Sequence, residues 1–139
     1  MKKKILMITS TATIGGGPKQ LLLLISELCN QLDISVACPR ESPFIASLEK
    51  LIKEDNILEI ATRKIILKDI INLVRIIKGK SITVIHSHGK GAGILGRISS
   101  VITGIPLIHT YHGIHVSGHS RLNNFLYINY EKLLGFIDA

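Results

Sequence analysis

Short runs of β-branched and aliphatic residues recur along this chain, each followed by a stretch with helical spacing, and this alternation restricts the fold more than any other feature. The runs fall at residues 4–9, 33–38, 57–60, 81–86 and 107–110, and helices are predicted at 20–30, 44–54, 66–79, 89–103 and 123–134. The segment from Ile66 is the clearest of the helices. Ile70, Leu73, Val74 and Ile77 recur at intervals of three and four, Lys68, Asp69, Arg75 and Lys78 face away, and Gly79 ends it. The run from Leu21 to Ile25 is apolar all round, which predicts burial on most sides. Strands separated by helices form a parallel sheet, and right-handed crossovers place the helices on both faces. The expected fold class is therefore α/β, a doubly wound parallel sheet in a single domain. A further strand is expected to begin at Phe136 without room to finish, so the domain is expected to be incomplete at its C-terminal end.

Composition narrows the possible partners. Hydrophobic residues make up 46% of the 139 positions, aromatics only 4%, and Trp is absent. Such a core is aliphatic, as buried parallel sheets tend to be. The net charge of +7 favours an anionic partner, either a phosphorylated metabolite or an anionic membrane surface. Aromatic platforms for stacking bases are nearly missing, so no nucleic acid partner is expected. Cys29 and Cys38 match no zinc or redox spacing and suit a reducing cytosol. Lys2, Lys3 and Lys4 before Ile5 to Ile8 superficially resemble a signal peptide, but Thr9, Ser10, Thr11 and Thr13 break the apolar run. No stretch approaches the ~18 uninterrupted apolar residues of a membrane-spanning helix.

In open parallel sheets, ligands bind beyond the carboxyl ends of the strands. Three unusual segments fall there. After the first run come Gly15, Gly16 and Gly17, followed by Pro18, which suits the first position of a helix. Successive glycines let the backbone approach a ligand, and the helix behind them offers free N–H groups to an anion. This turn is not a dinucleotide fingerprint. Gly-x-Gly-x-x-Gly is absent, and the second run ends in Cys38-Pro39-Arg40 without a ribose-binding acid. Nor does Gly79-Lys80-Ser81 form a phosphate-binding Walker loop, since it leads into a strand and lacks the earlier glycine.

The second segment is His86-Ser87-His88-Gly89-Lys90. Strand alternation puts His86 and His88 on one side. His86 is expected to be packed or hydrogen-bonded at the strand's end, and His88 to serve function. Lys90 would sit in the first turn of a helix, against the dipole, a placement that an external anion would relieve. Arg97 follows two turns later on a similar face, with ordinary solvation as the alternative for both cations. Gly91, Gly93 and Gly96 make that helix lean, which suggests close approach to the sheet or to a ligand. The third segment is Thr110-Tyr111-His112-Gly113, where His112 can donate to a sugar hydroxyl or a phosphate, or move a proton. All six histidines lie between His86 and His119. His86, His88, His112 and His115 could ligate a metal in principle, but no cysteine or nearby carboxylate accompanies them, and no metal site is expected.

These three segments, in this order at these strand ends, resemble the N-terminal, acceptor-side domain of family 4 glycosyltransferases of GT-B fold. The resemblance covers nearly the whole chain. It implies a Rossmann-like domain, one of two facing a cleft, and a nucleotide-sugar that is a substrate, with no cofactor and no bound metal. It implies that Gly15, Gly16 and Gly17 approach the donor diphosphate and sugar, and that His112 contacts the donor sugar as the catalytic residue. His88, Gly89, Lys90, Arg97 and Gly113 would border the acceptor, a saccharide or a lipid-linked saccharide. Transfer would retain the anomeric configuration, and many relatives of this kind work at the cytoplasmic membrane face.

The donor-binding C-terminal domain of that family is absent from these residues, so the chain alone is expected to be inactive, its partner half supplied in the same protein or by a separate chain. Two other classes fit part of the pattern. One is a non-catalytic remnant or binding subunit that recruits a partner to an anionic membrane. The other is a metal-dependent hydrolase built on the histidine cluster.

Overall fold

The apolar run Lys4–Thr9 forms β1, the middle strand of a five-stranded parallel sheet ordered β3-β2-β1-β4-β5. The remaining strands are β2 (Asp33–Cys38), β3 (Ile57–Glu59), β4 (Val84–His88) and β5 (Leu107–Thr110). The helices are α1 (Gly16–Leu28), α2 (Phe44–Leu48), α3 (Leu67–Gly79), α4 (Lys90–Thr103) and α5 (Arg121–Leu134). This computed structural model describes residues 2–13, 15–112, 121–135 and 138. The doubly wound, Rossmann-like sheet expected from the alternation is thus present.

Side chains alternate along each strand, so each face of the sheet has its own core. Leu6 and Ile8 of β1 point to one side, where Leu73 and Ile77 of α3 and Ala92 and Leu95 of α4 join them. Met7 points to the other, against Leu21 and Ile25 of α1 and Phe44 and Leu48 of α2. Each fully buried aliphatic side chain contributes about 1.5–3 kcal/mol. The chain winds outward from β1 in one direction through β2 and β3, then in the other through β4 and β5. The strand order therefore reverses between β1 and β4, which is where a crevice opens at the carboxyl end of such a sheet.

Several boundaries differ from the sequence expectation. Helix α1 begins at Gly16, with Gly16, Gly17 and Pro18 as its first three residues, rather than at 20. Pro is tolerated there because first-turn N–H groups have no partner within the helix. The helix expected over 44–54 stops at Leu48, although Leu51 and Ile52 still pack on the core, and a 3₁₀ turn at Glu54–Asn56 leads into β3. Strand β4 spans Val84–His88 rather than 81–86, the chain still turning at Ser81, with φ 55°, before it joins the sheet. His88 consequently lies in register with Thr9 of β1. Of the strand expected from Phe136, Asp138 makes one parallel bridge to Leu107, and its neighbours lie outside the described residues.

Helix α4 is lean because it lies hard against the sheet. A Cβ added at Gly91 would fall 2.5 Å from Ser10 Oγ, at Gly93 2.7 Å from His109 Cε1, and at Gly96 3.0 Å from both Leu107 Cδ1 and Ser87 Cβ. Separations below 3.0 Å are essentially never shown by real Cβ atoms, and 3.0 Å is at that limit, so close packing against β4, β5 and Ser10 just after β1 accounts for these glycines.

Candidate functional site

Parallel strands deliver the three singled-out segments to one rim. His88 Nδ1 lies 3.3 Å from His112 Nε2, and the rings stack with centroids 5.4 Å apart. A Cβ on Gly17 would come within 3.2 Å of the His112 ring, and one on Gly89 within 3.8 Å. The glycine turn, the His-Ser-His strand and the Tyr-His segment therefore meet at the switch between β1 and β4. Only Gly17 of the three turn glycines is explained by a protein neighbour. Among the described residues, a side chain at Gly16 would meet nothing within 4 Å, and one at Gly15 only a carbonyl oxygen 3.9 Å away. Their bareness faces open space.

Two helices start at this rim, α1 and α4. Neither has a side-chain cap at its N-terminus or an acidic residue in its first turn. Each start carries a partial positive charge and orphan N–H groups, the arrangement that receives anions. Lys90 is the first residue of α4, in its first turn as expected, and its side chain is exposed.

The imidazoles form a layered set. His86 Nε2 hydrogen-bonds to Thr110 Oγ1 at 2.8 Å, and its ring centroid is 4.1 Å from that of His88. Ser87 Oγ pairs with His109 Nδ1 at 2.8 Å on the other side of the strand. His88 is only 3% exposed, and its Nε2 has no hydrogen-bond partner among the described residues. Burial, followed by the neighbouring His86, His112 and His109, pushes the His88 pKa down to about 3. Burial likewise lowers His86 and His109. At neutral pH, His88 is thus an uncharged imidazole with one nitrogen toward His112 and one left over.

The structure corrects the expectation for Arg97. It does not border the rim but is 2% exposed inside an ion cluster. Its Nη1 donates to Glu131 Oε2 at 2.9 Å, its Nε to Asp138 Oδ1 at 3.1 Å, and its Nη2 to Asp138 Oδ2 at 2.8 Å and Tyr111 Oη at 3.1 Å. Burial opposes the charge, but the hydrogen bonds to Asp138, Tyr111 and Glu131 outweigh it and hold the guanidinium above its ordinary range. A solvated or ligand-binding arginine would need donors to spare, and four of the five N–H groups are engaged here. Gly113, the last residue assigned to the acceptor, lies outside the described residues, as do His115 and His119.

Sequence reasoning missed Ser10, Thr11 and Arg63, which flank His88 at the rim. No motif marks them, because Arg63 reaches the rim from the connection between β3 and α3, where its N–H donates to the Ser10 carbonyl at 2.9 Å. The burial of Arg97 did have a signal, since it stands four residues after Gly93 on the helix that packs bare against the sheet. Among the described residues, no group of three or more His, Cys, Asp and Glu side chains is arranged to hold a metal ion.

Comparison with known proteins now places this rim in a family. The sequence profile described as Glycosyltransferase Family 4 matches residues 14–139. A curated relative is the UDP-Gal:alpha-D-GlcNAc-diphosphoundecaprenol alpha-1,3-galactosyltransferase of Escherichia coli, 29% identical over 95 residues, which is 66% of this chain and 24% of that protein. Among solved structures, Anabaena Alr3699/HepE in complex with UDP and glucose superposes with a TM-score of 0.69 at 18% identity, covering 93% of this chain and 35% of that one. Acinetobacter baumannii MurG superposes with a TM-score of 0.61 at 18% identity, covering 98% and 39%. The chain spans about a quarter of the curated relative's length and little more than a third of either structure. With the profile matched across most of its length, the chain belongs to glycosyltransferase family 4.

Proposed function

We propose that this chain is the acceptor-side part of a glycosyltransferase that moves a sugar from a nucleotide-sugar donor to a lipid-linked saccharide, with retention of anomeric configuration. The carrying observation is the meeting of Gly17, His88 and His112 between two helix starts that lack acidic residues. The donor diphosphate would lie over Gly15 and Gly16, where the backbone is bare and the α1 dipole favours negative charge. As the bond between the sugar carbon and the diphosphate oxygen breaks, charge grows on the leaving phosphate, and the α1 N–H groups stabilise it. His112, packed against the glycine turn, touches the donor sugar and acts as the catalytic residue. The acceptor approaches from the side of His88, Gly89 and Lys90.

The remaining stabilisation of the leaving group comes from a donor-binding domain outside these residues, so the chain alone does not turn over. The diphosphoundecaprenol acceptor named for the Escherichia coli relative and the net charge of +7 support work at the inner face of the plasma membrane. Among the described residues, no helix is long and apolar enough to cross a membrane. No cofactor or metal takes part in this reading.

Transfer from radiolabelled UDP-hexoses to membranes carrying lipid-linked acceptor tests it, with this chain joined to or co-expressed with a donor-binding domain. His112→Ala should lower turnover by about 10²-fold or more with the fold intact. Gly16→Val should block the donor, since its side chain would enter space that no described residue fills. Unchanged kinetics in both variants would refute the assignment.

A further inference from the structure

A second opening lies beside the histidine stack, on the α3 and α4 side of the sheet rather than over the glycine turn. It has a volume of about 380 Å³ and is lined by Ser10, Thr11, Arg63, His88, Gly89 and Lys90 with a few apolar neighbours. This size falls within the range of small-molecule sites. Among the described residues, two cationic side chains and no carboxylate line it. The start of α4 points its first-turn N–H groups at this end of the sheet, and Gly89 provides no side-chain cap. His88, buried and lining the same opening, has an Nε2 without a hydrogen-bond partner among the described residues. A buried imidazole nitrogen left unpaired carries a desolvation cost that a ligand atom would remove.

We propose that this opening binds a phosphoryl group of the acceptor, separately from the donor diphosphate at the glycine turn. The proposal rests on the transferase function above and specifies its acceptor as an anion bearing a phosphate or diphosphate ester. Arg63 supplies a planar fork for two phosphate oxygens, Lys90 a second cation, α4 its N–H groups, and Ser10 and Thr11 their hydroxyls. An oxygen that accepts a hydrogen bond from His88 Nε2–H leaves His88 Nδ1 as an acceptor. The facing Nε2 of His112 must then carry its own proton. Seating the acceptor's phosphate thereby sets the tautomer of the histidine next to the donor sugar.

NMR of the ¹⁵N-labelled chain decides the matter, with inorganic pyrophosphate, geranyl diphosphate and UDP added in separate titrations. The expected result is saturable movement of the Arg63, Gly89 and Gly91 amides and the His88 imidazole with pyrophosphate and geranyl diphosphate, while UDP moves Gly15 to Gly17. Arg63→Gln, at an exposed position, should keep the spectrum of the folded chain and weaken pyrophosphate by about tenfold or more. Tighter binding of geranyl diphosphate than of pyrophosphate identifies a lipid-linked source, and equal binding a soluble sugar phosphate. If all three ligands move only the glycine turn, or if Arg63→Gln binds pyrophosphate as the parent does, the phosphate pocket is wrong while the transferase function stands. If pyrophosphate fills the pocket but UDP moves nothing, the pocket holds and the donor assignment falls.

Discussion

Replacing Arg97 by Met should be among the most damaging single changes in this fold, although it leaves the aliphatic stem of the side chain in place. Arg97 is 2% exposed, and its guanidinium donates four hydrogen bonds, to Glu131, Tyr111 and twice to Asp138. Its removal strands two carboxylates unequally. The Asp138 side chain is 17% exposed and can recover water, whereas that of Glu131 is 9% exposed, with Oε1 already lacking a partner. Removing one member of a buried ion pair costs about 3–5 kcal/mol, and a domain of this kind has about 5–15 kcal/mol in total. With a urea slope of about 2 kcal/mol per molar, a loss of that size moves the midpoint down by about 2 M. Combining Arg97→Met with Glu131→Leu should recover more than half of that loss, because the orphaned charge leaves with its partner. Urea unfolding followed by circular dichroism measures all three proteins. A single variant whose midpoint stays within about 0.5 M of the parent, or a double variant no more stable than the single, would refute the reasoning.

Gly96→Val should cost about 1–3 kcal/mol through its contacts with Leu107 and Ser87, while Gly16→Ala, whose Cβ would meet no described residue within 4 Å, should cost nothing measurable by the same urea assay. Equal effects of the two would contradict the packing of α4. Lowering the pH should destabilise the fold through His88. The unfolded chain takes up a proton below the ordinary value of 6.5 and the folded chain only near 3, so stability present at neutral pH drains away as pH falls between them. Over that range His88→Leu should reduce the dependence of the unfolding free energy on pH by up to about 1.4 kcal/mol per unit, and an unaltered slope would show His88 to be exposed to protons. Cys38, fully buried with its thiol pushed up to about 12 mainly by burial, should resist thiol reagents until the chain unfolds, while the partly exposed Cys29 reacts first. Rapid labelling of both in the folded protein would overturn that order.

Much of the scaffold was legible in the sequence because parallel strands announce themselves twice, by β-branched runs and by the helices between them. The bounds of β1, β2 and β5 agree with the runs at 4–9, 33–38 and 107–110. The meeting of the glycine turn with His88 and His112 also followed, since strand ends of a parallel sheet share one edge. What was not legible depends on contacts distant in the chain. Arg97 resembled a rim cation by its position on α4, but Glu131 and Asp138, more than thirty residues later, draw it inward. Arg63 belongs to no motif, and its role at the rim exists only because the connection after β3 returns to Ser10. The early stop of α2 was hidden because Leu51 and Ile52 keep a helical rhythm while packing from a turn.

The bare underside of α4 constrains how this rim can change. With Gly91, Gly93 and Gly96 letting the rod rest on the strands, an added methyl group at any of them forces the facing side chain, Ser10, His109 or Leu107 with Ser87, to give way. Altered ligand preference is therefore better sought in the connection carrying Arg63 or in the residues just after β1, where the backbone can be reshaped without unseating the platform beneath.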